Sequence, residues 1–199
     1  MTGDWTINAR NRLFVALELP EPLRAHAAGA GAAAAAHTQA RLVTAGNLHV
    51  TLQFLGQVPP ECAGDLLTAL ADAFRGSAIR VRAGAVVPRP SPGRARLLAL
   101  ELQDLDGGLT VLAKRVHRAT GTALGGSVSN RPLWPHITVA RFSRPERVRR
   151  SPPTESERVF DITRVALYDS DITPGRPPRY DELLGVTLGT LVIRSPSNG

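Results

Sequence analysis

Two short segments of the sequence carry the residue types that acid–base chemistry on a phosphate ester needs. Residues 49–52 read His-Val-Thr-Leu, and residues 136–139 read His-Ile-Thr-Val. Side chains alternate between the two faces of a β-strand, so in each segment the histidine and the threonine share one face. The apolar residues share the other face. Each strand therefore offers an imidazole and a hydroxyl to one side and packs on its opposite side.

Imidazole titrates near neutrality, so His49 and His136 could act as a base and an acid at the same pH. The hydroxyls of Thr51 and Thr138 are neutral donors suited to a phosphate oxygen. Two such pairs facing each other would hold a phosphate with four groups. One imidazole would activate water, and the other would protonate the departing ribose oxygen. This chemistry requires neither a metal ion nor an organic cofactor.

The alternative is a structural explanation for each histidine, since a single His-x-Thr segment more often contains a hydrogen-bonded structural residue. Two copies with matched apolar flanks, 87 positions apart (136 − 49), favour a shared site instead. The other histidines fall in predicted helices without partners and are interpreted as surface or helix-face residues: His26, His37 and His117.

Composition narrows the class of protein without deciding its function. The net charge is +7, and Lys114 is the only lysine among the 24 basic residues. Arginine binds phosphate bidentately, so this excess fits a phosphorylated or nucleic-acid partner, and it fits a compositional bias of the genome equally well. Cys62 is the only cysteine, which excludes an intramolecular disulfide and a multi-thiolate metal site. We interpret it as an inert, small apolar residue.

The remaining features predict a soluble, cytoplasmic chain without a membrane anchor. No apolar run approaches the roughly 20 residues that span a bilayer. Residues 1–11 lack the basic-then-apolar layout of a secretory signal. We expect a monomer with no obligatory protein partner.

Hydrophobic periodicity and turn residues predict seven strands and three helices. The predicted helices cover residues 21–40, 61–74 and 105–120, and the predicted strands cover residues 12–19, 47–55, 78–87, 95–102, 136–142, 159–168 and 180–188. Residues 121–130 and 144–158 are predicted loops, and the ends, residues 1–11 and 195–199, are predicted to fray.

This mixed order favours an α+β fold with mainly antiparallel pairing over a doubly wound one. A strand bearing His-x-Thr, with a helix before it, occurs once in each half. This suggests two lobes with approximate two-fold symmetry within one domain, residues 1–199.

Four stretches of the chain, taken together, resemble the 2H phosphoesterase superfamily, and specifically its RNA 2′,3′-cyclic phosphodiesterase branch, the 2′-5′ RNA ligase-like proteins. The stretches are residues 12–17 (Arg-Leu-Phe-Val-Ala-Leu), residues 47–56 around the first motif, residues 135–141 around the second, and a C-terminal signature in residues 167–170 and 172–175 with Tyr180. The resemblance covers nearly the whole chain.

The resemblance implies a bilobal α+β fold, with two mainly antiparallel sheets flanked by helices around a central cleft. It implies metal-independent hydrolysis of RNA or nucleotide 2′,3′-cyclic phosphate ends to 2′-phosphates. His49 is then the proton donor to the leaving O3′, and His136 is the proton acceptor that activates water. Thr51 and Thr138 bind the nonbridging oxygens.

The resemblance also places an arginine, Arg141, near the phosphate. A regular pleat puts Arg141 on the face of Ile137 and Val139, away from the pocket. Either the strand bulges or ends there, or Arg141 reaches round the edge of the sheet; otherwise it forms a surface ion pair. Phe14 and Phe54 are predicted to lie in the core. Trp134 is interpreted either as a stacking surface or as a packing residue.

Two other functions remain open at this point. The same acid and base could act on 2′-5′ linked oligonucleotides, or seal tRNA halves by the reverse reaction. Alternatively, the fold could serve as a non-catalytic RNA-binding module, which would bind with strong salt dependence but without turnover.

Overall fold

The structure is a computed structural model that describes residues 12–126, 132–148, 158–173 and 178–189. In these ranges it contains nine strands: β1 (Arg12–Glu18), β2 (Arg41–Leu42), β3 (His49–Gln57), β4 (Ile79–Arg89), β5 (Ala95–Asp104), β6 (His136–Glu146), β7 (Val159–Ile162), β8 (Arg164–Asp171) and β9 (Arg179–Thr187). The α-helices are α1 (Glu21–Ala35), α2 (Ala63–Ala73) and α3 (Gly108–Ala123).

The strands form one continuous sheet in the order β7-β4-β5-β6-β3-β1-β8-β9, and β2 pairs with β6. Every pairing between these strands is antiparallel. This confirms the predicted α+β class and its antiparallel pairing. The prediction of two sheets was wrong, because β3 and β6 join the halves through the pair Val50 and Ile137. Four strands follow on each side of that junction.

Two of the three helices cross from one half of the sheet to the other. Helix α1 follows β1 but packs on β5 and β6, and α3 follows β5 but contacts β3. Val50 and Ile137 are fully buried in the same apolar cluster as Leu23 of α1 and Leu112 of α3. The junction is therefore stabilised by side-chain packing, and the His-x-Thr face of the same strands is left for the site.

Helix α1 extends through both glycines that lower its helix propensity, and one of them is required by packing. A Cβ built on Gly31 would lie 2.8 Å from Cβ of Val139 in β6, whereas a Cβ on Gly29 would meet nothing within 4 Å. Gly31 therefore allows α1 to approach β6 at Val139. The predicted helix over residues 21–40 was too long, because α1 ends at Ala35.

Two further details of the predicted strands were wrong. The strand predicted over residues 159–168 is two strands, and β7 pairs with β4 whereas β8 pairs with β1, in opposite halves of the sheet. No glycine or proline lies between Val159 and Tyr168, so no turn residue indicates that the chain changes partner at Thr163. Strand β2 was not predicted; its two residues are held by pairing with β6 rather than by any local pattern.

None of the helices in the described ranges is long and apolar enough to cross a membrane.

Candidate active site

Strands β3 and β6 both contain a bulge three residues after the histidine. In β3, Thr51 and Gln53 pair with consecutive residues of β1, so Leu52 has no opposite residue. In β6, Thr138 and Ala140 pair with consecutive residues of β5, so Val139 has none. A bulge inserts one residue and thereby shifts the alternation of side chains beyond it.

The bulge in β6 resolves the position of Arg141. Val139 and Ala140 are both buried, and the next residue, Arg141, is exposed and lines the same cleft as His136 and Thr138. The expectation from a regular pleat, that Arg141 faces away, was therefore wrong. Of the alternatives left open by the sequence, the bulged strand is the one found.

The bulge in β3 has the same effect on Phe54, which was predicted to be a core residue. Leu52 and Gln53 are both buried, whereas Phe54 is 67% exposed and lines the cleft with His49 and Thr51. The core prediction for Phe54 was wrong. Phe54 lies five residues after His49, just as Arg141 lies five residues after His136, and this matched spacing could have indicated it.

The cleft brings together the five residues that the sequence singled out, which are His49, Thr51, His136, Thr138 and Arg141. Its volume is about 1000 Å³. Strands β3 and β6 pair antiparallel through Val50 and Ile137, the middle residues of the two His-x-Thr segments. His49 is therefore opposite Thr138, and Thr51 is opposite His136. Each imidazole thus has a hydroxyl from the opposite strand as its neighbour.

Both imidazoles are oriented by the same backbone contact. Nδ1–H of His49 donates to the carbonyl oxygen of Asn47 at 2.8 Å, and Nδ1–H of His136 donates to the carbonyl oxygen of Trp134 at 2.7 Å. A carbonyl can only accept, so Nδ1 carries the proton in the neutral ring of each histidine. Nε2 is then the atom of each ring that is available to accept or donate a proton in the cleft.

The ring of His49 has aromatic neighbours. Its ring centroid lies 5.1 Å from that of Phe14 and 5.4 Å from that of Tyr180, which meets it edge-on. Burial lowers the pKa of His49 to about 4; the bond to Asn47 opposes this shift, and the nearby charges of Arg141 and His136 add to it. In the free protein the His49 ring is therefore neutral at pH 7.

The surroundings of His136 are stacked and charged. Its ring lies against that of Trp134 with centroids 3.9 Å apart and planes 16° from parallel, and the guanidinium of Arg89 lies 3.9 Å from the Trp134 ring centroid. Nε1–H of Trp134 donates to Glu101 at 3.3 Å. Burial lowers the pKa of His136, with Arg89 and Arg141 adding to the shift, while the bond to Trp134 and the charge of Glu101 oppose it.

The other residues discussed from the sequence are placed as follows. Phe14 is buried as predicted, although its ring also contacts His49. His26, His37 and His117 do not line the cleft. From the C-terminal signature, Ser170, Ile172 and Tyr180 line it, whereas Pro174 and Gly175 lie outside the described residues. Across the described ranges, no group of three or more His, Cys, Asp or Glu residues could hold a metal ion.

Two His-x-Thr strands that share one cleft on an antiparallel sheet are the arrangement expected of a 2H phosphoesterase. The family model described as "LigT like Phosphoesterase" matches residues 17–96. The RNA 2′,3′-cyclic phosphodiesterase of Escherichia coli (strain K12) is 33% identical over 175 residues, which cover 86% of this chain and 93% of that protein. The chain belongs to the LigT-like phosphoesterase family, as the sequence predicted.

Solved structures of similar proteins agree over nearly the full chain. A crystal structure of a Thermus thermophilus protein superposes with a TM-score of 0.78 at 28% identity, covering 90% of this chain and 99% of that one. The structure of E. coli LigT complexed with 3′-AMP has a TM-score of 0.72 at 29% identity, covering 91% of this chain and 99% of that one.

Proposed function

We propose that this protein is an RNA 2′,3′-cyclic phosphodiesterase that hydrolyses 2′,3′-cyclic phosphate ends to 2′-phosphates. The observation that carries the proposal is the pair of partly buried imidazoles, His49 and His136, each with Nδ1 bonded to a backbone carbonyl and Nε2 left for the cleft. Family membership supports the reaction class, since the E. coli relative bears this name. A relative crystallised with 3′-AMP supports a nucleotide as the ligand.

In the proposed reaction, Nε2 of His136 accepts a proton from water as the water oxygen forms a bond to phosphorus. The bond from phosphorus to O3′ breaks, and Nε2–H of His49 donates its proton to O3′. The products are a 2′-phosphate and a free 3′-hydroxyl. General acid and general base catalysis each contribute about 10²–10⁴ in rate.

Thr51 and Thr138 are proposed to donate to the two nonbridging phosphate oxygens, one from each strand. The guanidinium of Arg141 is proposed to offset the negative charge that develops on those oxygens. Donors fixed by the scaffold before the substrate arrives need no rearrangement during reaction, which makes them effective in a site with little water.

The proton-donor role of His49 requires that substrate binding raise its pKa. With the pKa at about 4, the free protein holds the neutral ring at pH 7. The cyclic phosphate brings a negative charge beside the imidazole and offsets the charge of Arg141, and an opposite charge favours the protonated form. Binding and protonation of His49 are therefore coupled.

The proposal is tested by mixing the protein with adenosine 2′,3′-cyclic phosphate in the presence of a chelator and identifying the product by phosphorus NMR. We expect adenosine 2′-phosphate alone. His49→Ala and His136→Ala should each lower kcat by about 10²–10⁴. His37→Ala, which changes an exposed histidine outside the cleft, is the matched control and should retain the wild-type rate.

The outcome also separates the other functions that the sequence left open. Full activity in either active-site variant would refute the two-histidine mechanism. Binding of the nucleotide without any turnover would indicate a non-catalytic module. Incubation of RNA fragments ending in a cyclic phosphate with fragments bearing a 5′-hydroxyl would reveal joining through a 2′-5′ bond.

A further inference from the structure

Two arginines lie directly opposite each other at the margin of the cleft. In the short pairing of β2 with β6, Arg41 is the partner of Arg141, and Leu42 is the partner of Ala140. The N–H of Val43 donates to the carbonyl of Val139 at 2.9 Å, which holds β2 against the bulge. Residues directly opposite in an antiparallel pair project to the same face with Cβ atoms about 4.5–5.5 Å apart.

Like charges at such a pair destabilise the sheet unless something neutralises them. In the part of the chain that the structure describes, neither arginine forms a salt bridge; the ion pairs found there involve Arg24, Arg75, Arg80, Arg164 and Arg179. Arg41 and Arg141 both line the cleft. Among the described residues, the two guanidinium groups therefore form a positive pair without an anionic partner, and this pair faces the site.

The two arginines differ in their relation to the histidines: the charge of Arg141 contributes to the pKa shifts of His49 and His136, whereas that of Arg41 contributes to neither. Strand β3 meets β6 at Ile137, and β2 meets the same edge of β6 further along, at Ala140 and Arg141, because β5 occupies the other edge throughout. The phosphate held between the two His-x-Thr segments would use Arg141, the nearer arginine. Arg41 lies on β2, one strand from Arg141, on the same edge of β6 as β3 and beyond the His-x-Thr segment along that edge.

The cleft also has room for more than the reacting group. Its volume of about 1000 Å³ is at the upper end of the range of about 300–1,000 Å³ for small-molecule pockets. Three large apolar side chains that line it are exposed and so offer apolar surface to a ligand: Leu42, Phe54 and Ile172.

We propose that Arg41, together with Arg141, forms a subsite for a second phosphate, the one attached to the 5′ oxygen of the nucleotide whose cyclic phosphate reacts. The subsite rests on the proposed function, and it narrows the substrate class. The preferred substrates are RNA ends and 5′-phosphorylated nucleoside 2′,3′-cyclic phosphates, in preference to nucleoside cyclic phosphates that lack a 5′-phosphate. Arg41 acts in specificity and not in the chemical step.

The test compares kcat/KM for two substrates that differ only in the second phosphate: adenosine 2′,3′-cyclic phosphate with and without a 5′-phosphate. Hydrogen bonds to charged groups contribute roughly 10- to 150-fold in an equilibrium constant. We expect the wild type to prefer the 5′-phosphorylated substrate by about tenfold or more, and we expect that ratio to fall as salt is added.

Arg41→Gln should bring the ratio close to one, whereas Arg41→Lys should retain part of it because the positive charge remains. Arg12→Gln is the matched control. It removes an exposed arginine that lines the cleft from β1, so it should keep the preference if the effect belongs to Arg41 rather than to overall charge.

A wild-type ratio near one, or an unchanged ratio in Arg41→Gln, would overturn the subsite even if both substrates are hydrolysed. A binding measurement keeps the subsite testable if neither substrate is hydrolysed and the proposed function fails. Calorimetric titration with adenosine 3′,5′-bisphosphate and with 3′-AMP should give tighter binding of the bisphosphate, and Arg41→Gln should abolish the difference. Equal affinities in the wild type would overturn the subsite on this measure as well.

Discussion

Strands β3 and β6 repeat one backbone design with different side chains around it. In each, the histidine donates through Nδ1 to the carbonyl two residues earlier, and the bulge falls three residues after the histidine. Each histidine also pairs in register with a glutamate on the next strand, Glu18 for His49 and Glu101 for His136. The two half-sites, each a His-x-Thr segment with the residues around it, therefore present their imidazoles in closely matched geometry.

The differences begin with the glutamates. Glu18 is engaged by Arg164 at 2.9 Å and by Arg24 at 3.5 Å, and its charge does not contribute to the pKa shift of His49. Glu101 accepts from Trp134, and its charge raises the pKa of His136, opposing the effect of burial. The same strand position thus leaves His49 in an apolar setting and gives His136 a nearby anion.

The cleft-lining residue beyond each bulge also differs between the two strands, and again the β3 residue is apolar and the β6 residue is charged. At the fifth position after the histidine, β3 has an apolar ring, Phe54, and β6 has a cation, Arg141. Both line the cleft. A repeated backbone can therefore place two equivalent acid–base groups, while the residues around them assign different electrostatic conditions to each. The proposed roles of His49 as the acid and His136 as the base come from the family resemblance rather than from this electrostatic difference.

The largest expected effect tests that assignment directly. In a substrate with sulfur in place of O3′, the departing thiolate needs no proton. His49→Ala should then recover most of the 10²–10⁴-fold loss that it suffers with the oxygen substrate, whereas His136→Ala should remain slow. Steady-state rates on the two substrates give the comparison. Recovery in His136→Ala instead would reverse the two roles.

The two threonines should have smaller effects that resemble each other. Thr51→Val and Thr138→Val each remove a hydroxyl at nearly constant shape, and the loss of a hydrogen bond to an anion, about 1.5–3 kcal/mol, corresponds to roughly 10- to 150-fold in kcat/KM. Thr68→Val, on the exposed side of α2, is the control and should retain the wild-type value. A loss confined to one threonine would show that the half-sites hold the phosphate unequally.

The titration of His49 tests the coupling between binding and protonation. Its pKa is lowered to about 4 in the free protein, so between pH 4 and 6.5 the folded state binds fewer protons here than the unfolded chain does. We expect the Cε1–H resonance of His49 to titrate near pH 4 in the absence of ligand. Saturation with adenosine 2′-phosphate should move the midpoint to higher pH, since the anion favours the imidazolium. An unchanged midpoint would contradict the proton-donor role.

The smallest expected effect concerns the support of the β6 bulge by α1. Gly31→Ala places a methyl group against Val139 and should lower the free energy of unfolding by about 1–3 kcal/mol, the usual cost of overpacking. Gly29→Ala is the matched control, because its Cβ meets nothing and it gains up to about 1 kcal/mol of helix propensity. Urea unfolding of both variants gives the difference. Equal stabilities would mean that α1 shifts away from Val139 at little cost in free energy.

Local sequence patterns predicted much of the fold because they depend on neighbouring residues. The three helices, the antiparallel α+β class and the two His-x-Thr strands follow from apolar spacing and turn residues. The patterns failed where pairing with distant strands decided the outcome. The break at Thr163 reflects a change of partner, and β2 exists only because β6 lies beside it.

The sequence by itself determined which groups could react: two imidazoles and two hydroxyls in matched segments, with an arginine five residues after one histidine. Only the tertiary structure decided which other residues face them. The bulges at Leu52 and Val139 reverse the alternation of side chains, and this brings Phe54 and Arg141 into the cleft. A bulge is set by the register between strands, and register depends on packing between segments that lie far apart in the chain.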